Sequence, residues 1–168
     1  MIRYHDATDM AHRAPGVVEA TDDASDLALV RVDDVRLPAA RIGDATGVRL
    51  ADDVVVIGAP FGRGLSVSSG IVSQLVTRQP DGGPAREPLL KVDAPVGYGS
   101  SGGGVFQVRT GRLLGVVEGY RTATVSLKLA GAPYSFQVPM PGETFVVHAA
   151  EIRRFLADRG YSRLLTEY

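Results

Sequence analysis

Cysteine is absent from the 168-residue sequence, which excludes a disulfide framework, a thiolate nucleophile and a cysteine-ligated zinc site. The three histidines, His5, His12 and His148, are too scattered to form a metal-ligand cluster, so no metal site is expected. An excess of basic charge is missing too: 18 Lys plus Arg against 19 Asp plus Glu give a formal charge of -1. Such a surface cannot neutralise a phosphate backbone or hold an anionic membrane, and nucleic acid is not an expected partner. Long apolar runs are lacking as well. Stretches such as Val54-Val55-Val56-Ile57 fall far short of the roughly twenty residues that a membrane-spanning helix needs. No basic region followed by an apolar stretch opens the sequence, so no signal peptide is expected in it.

What the sequence has in quantity is glycine and proline, 20 and 10 residues, and between them short segments rich in Val, Leu and Ile. This pattern favours strands over helices and predicts an all-β domain. The expected strands are 2–4, 16–20, 27–32, 53–58, 65–77, 89–93, 104–108, 113–118, 124–129, 134–138 and 144–148. Most carry apolar residues on both faces, which suits a closed barrel or two packed barrels. Helical spacing occurs once, over 149–159, where Ile152, Phe155 and Leu156 share a face and Gly160 is placed to end the helix. This helix is expected to pack on a barrel. Residues 37–44, with Pro38 and weak periodicity, read as a link between two halves, and Asp81-Gly82-Gly83-Pro84 as an exposed hairpin loop.

The densest chemical feature is Asp93-Ala94-Pro95-Val96-Gly97-Tyr98-Gly99-Ser100-Ser101-Gly102-Gly103-Gly104. Glycines on both sides of a serine let the backbone turn sharply, exposing the hydroxyl oxygen and aiming two amide hydrogens at one point. Acyl transfer needs that combination of nucleophile and oxyanion hole, although a plain flexible Gly-Ser loop has the same composition. Gly99-x-Ser101-x-Gly103 also fits the nucleophile elbow of α/β-hydrolases, but that elbow leads into a helix and its acid precedes its histidine. Here a strand follows, and His148 precedes Asp158, so the α/β-hydrolase reading is rejected.

Four neighbouring segments add to the serine loop. Asp26-Leu27-Ala28-Leu29 puts a carboxylate at the mouth of a strand; Ile57-Gly58-Ala59-Pro60-Phe61-Gly62 and Ser66-Val67-Ser68-Ser69-Gly70-Ile71-Val72-Ser73 follow; and Val138-Pro139 precedes a short helix. In this order, over nearly the whole sequence, the five elements resemble the trypsin-like serine proteases, in particular their bacterial HtrA-like branch. The resemblance implies two perpendicular six-stranded barrels with the active site between them. It implies Ser101 as nucleophile, Asp26 as the acid that orients a histidine, and the amides of Gly99 and Ser101 as the oxyanion hole. It places Pro95, six residues before the nucleophile, at the base of the primary specificity pocket, with Val117, Glu118 and Gly119 in its walls. With no carboxylate at position 95, a small or medium apolar side chain is expected there rather than Lys or Arg. Ser100 stands where the family usually has Asn or Asp, and Gly104 where it usually has Pro.

A serine hydroxyl needs a base, and in this family the base is a histidine preceding the acid. His5 and His12 precede Asp26 but lack the family's context. The opening residues instead resemble the strand and turn after that histidine, so the triad histidine is expected upstream of the sequence. His5 reads as an exposed turn residue and His148 as a surface or helix-start residue. The expected organisation is then a remnant of the amino-terminal barrel over 1–39, a carboxyl-terminal barrel over 40–150, and a helix and tail over 151–168. The remnant is expected to expose apolar faces and strand edges. The expected function is a serine endopeptidase acting on polypeptides through an acyl-enzyme on Ser101, a mechanism that requires no metal or organic cofactor. A pseudoprotease whose cleft serves as a peptide-binding or regulatory surface is the alternative. Many relatives act in the bacterial envelope or outside the cell, and the resemblance suggests the same here.

Overall fold

A computed structural model of the chain describes residues 1–5, 8, 10–44, 47–62, 64–77, 88–129 and 132–165. The expected turn at 81–84 lies outside them. Among the described residues the β-rich reading is realised as ten strands. The first four are β1 (Ile2–His5), β2 (Ala11–Ala14), β3 (Gly16–Asp22) and β4 (Leu27–Val32). They form two antiparallel two-stranded sheets, β1 with β2 and β3 with β4. β2 was not expected: Ala11-His12-Arg13-Ala14 has no apolar alternation, and its strand character comes from pairing with β1, where His12 lies opposite Tyr4 and stacks on its ring with centroids 5.2 Å apart. His5, expected in a turn, closes β1 opposite Ala11 and is half-buried.

The remaining strands are β5 (Asp53–Gly58), β6 (Ser66–Thr77), β7 (Pro88–Val92), β8 (Gly104–Gln107), β9 (Leu113–Leu129) and β10 (Ala132–His148). They close into a six-stranded barrel in the order β10-β7-β6-β5-β8-β9. Period-two alternation builds its interior. On β5, Val54 and Val56 point inward, and they meet Val72, Leu90, Val92, Val105, Leu114, Val117 and Val146 from the other five strands. Leu90, Val92, Val105 and Val146 have no exposed surface, and burial of each such side chain stabilises the fold by about 1.5–3 kcal/mol.

Four separate strands were expected where the structure has two of 17 residues each. The Gly and Pro residues at 119 and 139–142 do not end β9 and β10; the irregularity is taken up as register shifts between Pro139 and Thr144 and between Phe145 and Val146. A strand with a continuous partner tolerates such a bulge because the ladder resumes on either side. The expected link at 37–44 is irregular apart from a bridge between Ile42 and Leu113, where Gly43 N–H donates to Leu113 O and Leu113 N–H to Arg41 O, both at 2.8 Å.

The helix α1 spans Ala149–Asp158. Phe155 and Leu156 are buried and Ile152 half-buried, and Gly160 follows with a φ of +82°. The chain divides into two compact units, Met1–Ala40 with Ile152–Tyr168, and Arg41–Glu151. Residues Ile152–Asp158 of α1 thus fall in the unit that holds the amino-terminal strands. Within that unit Val17, Val18 and Val30 are exposed, and Glu19 of β3 accepts from Arg31 at 2.6 Å and from Tyr161 Oη at 3.1 Å. These two bonds hold the Glu19 carboxyl below its ordinary range. No helix among the described residues is long and apolar enough to cross a membrane.

Candidate active site

The segment 93–103 leaves β7, crosses one mouth of the barrel and returns as β8. Its start is anchored by two contacts. Asp93 Oδ1 accepts from Ile71 N–H at 2.6 Å, and the buried Thr144 hydroxyl donates to Ala94 O at 3.1 Å. Gly70 lies against this anchor so closely that a Cβ would fall 2.5 Å from Ala94 N; only glycine admits the approach.

The middle of the segment is a tight turn. Ser100 N–H donates to Gly97 O at 3.0 Å, and the Ser100 hydroxyl accepts from Gly97 N–H at 3.2 Å. Ser100 is 5% exposed, so the residue that departs from the family's usual Asn or Asp closes the turn from inside. Gly99 takes a φ of +87° against the Phe61 backbone, a conformation natural to glycine. Phe61 itself has a φ of +56°, and its N–H donates to Tyr98 O at 2.8 Å. The rings of Phe61 and Tyr98 stack with centroids 6.5 Å apart, and both are exposed. Sequence reasoning did not single out this pair.

β9 grips the far side of the turn. Gly102 N–H donates to Val117 O and Val117 N–H to Gly103 O, both at 2.8 Å, and the exposed Ser101 hydroxyl donates to Glu118 O at 3.0 Å. The carbonyl of Glu118, a residue expected in a pocket wall, holds the candidate nucleophile. Among the described residues, the amides of Ser100, Gly102 and Gly103 donate to backbone carbonyls of this turn and of β9, whereas those of Gly99 and Ser101 donate to no backbone carbonyl. Two amide donors flanking one exposed hydroxyl is the arrangement an acyl-transfer site requires.

Pro95 borders a cavity of about 210 Å³ with Val96, Tyr120, Pro139, Met140 and Pro141. The cavity is thus walled by Tyr120 and by β10, while Val117 is in the barrel core at 2% exposure. Gly119 is half-buried on β9 opposite Phe145. The lining is mainly apolar, and its one carboxylate, Asp93, has an oxygen turned to the Ile71 amide. The Val138-Pro139 signal in the sequence marked this wall without revealing its use.

Asp26 belongs to the amino-terminal unit, in the turn joining β3 to β4. It is exposed with a φ of +53°, a region that Asp tolerates better than most residues. Asp22 shapes the turn, accepting from Ser25 Oγ at 2.6 Å and from Ala24 N–H at 3.2 Å; the Ser25 bond holds its carboxyl below the usual range. The histidines have other local settings. His148, expected at the surface or at a helix start, is 2% exposed, and its Nδ1 accepts from Ala150 N–H at 3.1 Å. The surface half of that expectation is corrected: His148 is a buried residue that caps α1. Among the described residues no group of three or more His, Asp or Glu could hold a metal ion.

Comparison with known proteins agrees with this geometry. The family model of the trypsin-like peptidase domain matches residues 3–116, more than half of the chain. The chain is 37% identical over 128 residues to the magnetosome formation protease MamE of Magnetospirillum gryphiswaldense, covering 76% of this chain and 16% of that one. It is 40% identical over 113 residues to a serine protease HtrA-like protein of Staphylococcus epidermidis, covering 61% and 19%. Among solved structures, the active form of the Rv3671c protease from M. tuberculosis superposes with a TM-score of 0.67 at 25% identity, over 92% of this chain and 62% of that one. The chain spans less than a fifth of the length of the two curated relatives. The ordered motifs, the closed barrel and the family match converge, and the chain belongs to the trypsin-like peptidase family.

Proposed function

We propose that the chain is a serine endopeptidase domain that hydrolyses peptide bonds through an acyl-enzyme on Ser101. The observation that carries this reading is the turn at 97–103, which presents one exposed hydroxyl beside the amides of Gly99 and Ser101, neither of which donates to a backbone carbonyl among the described residues. In the proposed cycle Ser101 Oγ attacks the scissile carbonyl and the two amides bind the resulting oxyanion. The acyl-enzyme forms as the leaving amine takes the proton that the base removed from Ser101, and water then releases the acid. The general base is a histidine other than the three in this sequence, and Asp26 orients it. The cavity at Pro95 receives the side chain preceding the scissile bond and favours small or medium apolar groups, since its lining is mainly apolar. The substrates are polypeptides, and the domain works outside the cytoplasm, as its similarity to a periplasmic serine endoprotease DegP-like protein of Pseudomonas putida suggests. The domain organisation that goes with this reading is an amino-terminal barrel portion over 1–39, a barrel over 40–150 and a helical tail.

One observation favours the pseudoprotease alternative: the Ser101 hydroxyl donates to a carbonyl, which cannot take its proton. Labelling with a fluorophosphonate probe separates the two. Modification of Ser101 that disappears in Ser101→Ala supports the hydrolase, and no modification in protein purified from its native source, under conditions that label trypsin, overturns it.

A further inference from the structure

Behind the serine turn the inner surface of the barrel changes character. On β6 the residues 66, 68, 70 and 72 share one face, and the register makes it the inner one: Ser68 lies opposite Val56, which is 3% exposed in the core, and Ser66 opposite Gly58. Val72, deeper in the same row, is buried. The row therefore turns from apolar to hydroxyl toward the end of the barrel that the serine turn crosses. Ser68 is half-buried there and Ser66 exposed. The turn rests on this end, since a Cβ at Gly58 would lie 3.7 Å from Ser100 Cα.

Between the turn and β6 lies a cavity of about 30 Å³, bordered by Ser66, Ser68 and Ser100 with Gly58, Pro60 and Gly97. The Ser100 oxygen accepts from Gly97 N–H at 3.2 Å, but among the described residues no protein acceptor takes the hydrogen of any of the three hydroxyls. Ser100 is 5% exposed, so its hydrogen is shut off from bulk solvent, and a hydroxyl buried to that degree needs an acceptor. A polar space of about 15 Å³ or more, with two to four hydrogen-bonding partners, holds a water molecule. The cavity meets both conditions. No charged side chain among the described residues borders it, so nothing there would compensate an ion for its lost hydration.

We infer that this cavity is a water site and that Ser100 is a positioning residue acting through it. The water accepts the Ser100 hydrogen and joins it to the hydroxyls of Ser68 and Ser66. The turn is thereby held against β6 with the amides of Gly99 and Ser101 set for an oxyanion. The inference deepens the reading of Ser101 as a nucleophile and rests on it for its kinetic consequence. It also explains how serine serves where Asn or Asp is usual: the side chain is shorter, and the water spans the remaining distance.

The test has a structural arm and a kinetic one. A crystal structure at a resolution that shows ordered water is expected to place a water within hydrogen-bond distance of Ser100 Oγ and Ser68 Oγ; a cavity without one overturns the inference whatever Ser101 does. The kinetic arm compares the protein purified from its source with Ser68→Ala, Ser100→Ala, Ser100→Asn and, on the exposed outer face of β6, Ser69→Ala, each with its melting curve recorded. Three quantities are measured: the rate of Ser101 modification by a fluorophosphonate, the affinity for a peptide aldehyde whose adduct oxygen occupies the oxyanion hole, and the affinity for an unreactive peptide amide of the same sequence. Ser100→Ala is expected to slow modification and weaken aldehyde binding by about tenfold each, and Ser68→Ala by about threefold, the range of one hydrogen bond. Ser100→Asn restores both, Ser69→Ala changes neither, and the unreactive peptide binds all five proteins alike. Ser68→Ala behaving as Ser69→Ala overturns the positioning role, and so does an equal loss of affinity for the unreactive peptide. If no protein is modified at Ser101, the hydrolase reading fails, and the crystallographic water decides the site independently.

Discussion

The Ser101 hydroxyl donates its hydrogen to the main-chain carbonyl of Glu118 across 3.0 Å. The carbonyl belongs to β9, which also holds Gly102 and Gly103 through Val117, so one strand fixes both the turn and the direction of its hydroxyl. An imidazole that activates Ser101 has to compete with this acceptor. Ser101→Ala deletes one hydrogen bond at an exposed position, worth about 0.5–1.5 kcal/mol. Urea denaturation is expected to show a loss within that range while all fluorophosphonate labelling disappears. A loss several times larger means that the hydroxyl serves the fold more than the chemistry.

The cavity at Pro95 predicts an order of reactivity. Aminoalkyl phosphonate probes with a Val-like side chain are expected to label Ser101 faster than probes with a Lys-like one, and Pro95→Asp is expected to narrow or invert the difference. Faster labelling of the unmodified protein by the cationic probe assigns the Asp93 carboxylate, not the apolar lining, as the selective element.

Gly70 predicts a packing defect with a remote effect. In Gly70→Ala the new methyl lies 2.5 Å from Ala94 N and 2.7 Å from Ala94 Cα, and backbone there must move. A destabilisation of about 1–3 kcal/mol is expected from overpacking, together with slower Ser101 labelling because Ala94 starts the segment that carries it. A melting temperature equal to that of the unmodified protein sinks this prediction.

His148 is predicted to act in stability and not in catalysis. His148→Ala empties a buried site and removes the acceptor of the Ala150 amide, at a cost of about 1–3 kcal/mol. Chemical denaturation measures that cost. Ser101 labelling at a temperature where the variant is folded is expected to be unchanged; its abolition reassigns His148 to the chemistry.

An ion pair between β7 and β10 predicts a pH dependence. Glu143 accepts from Lys91 Nζ at 2.8 Å and lies 3.9 Å from Arg121 Nε, and Lys91 also sits over the Phe145 ring. The Lys91 bond first, and the two cationic charges with it, hold the Glu143 carboxyl below its ordinary value of 4.5. A lowered folded pKa means stabilisation that is complete above the unfolded value and lost as pH falls through the folded one. Glu143→Gln is therefore expected to melt below the unmodified protein at neutral pH, with the gap closing as pH drops under about 4.5. A gap that stays constant from neutral to acid pH excludes the ion pair as its source.

Much of the fold was legible because burial imposes a period of two. Residues 27–32 and 53–58 form strands at the expected boundaries, and Val54 and Val56 alternate into the core. The serine turn was legible for a different reason: backbone geometry requires glycine at 99 and 103, on either side of Ser101, so the requirement appears as a spacing. β2 was hidden because its residues have no pattern of their own and become a strand only opposite β1. The joining of the last four expected strands into β9 and β10 was hidden because Gly and Pro usually end a strand, and here the partner strand carries them through as bulges.

The sequence by itself determined an all-β chain, the lack of cysteine and its chemistry, the family, and the serine that faces solvent in its glycine turn. These follow from composition, alternation and short fixed spacings, each a local property of the chain. Only the tertiary structure decided that Glu118 meets Ser101 through its carbonyl, that Pro95 shares its cavity with Tyr120 and β10, and that His148 is a buried cap. Those relationships depend on the register between strands far apart in sequence, and register is settled by the packing of the barrel as a whole.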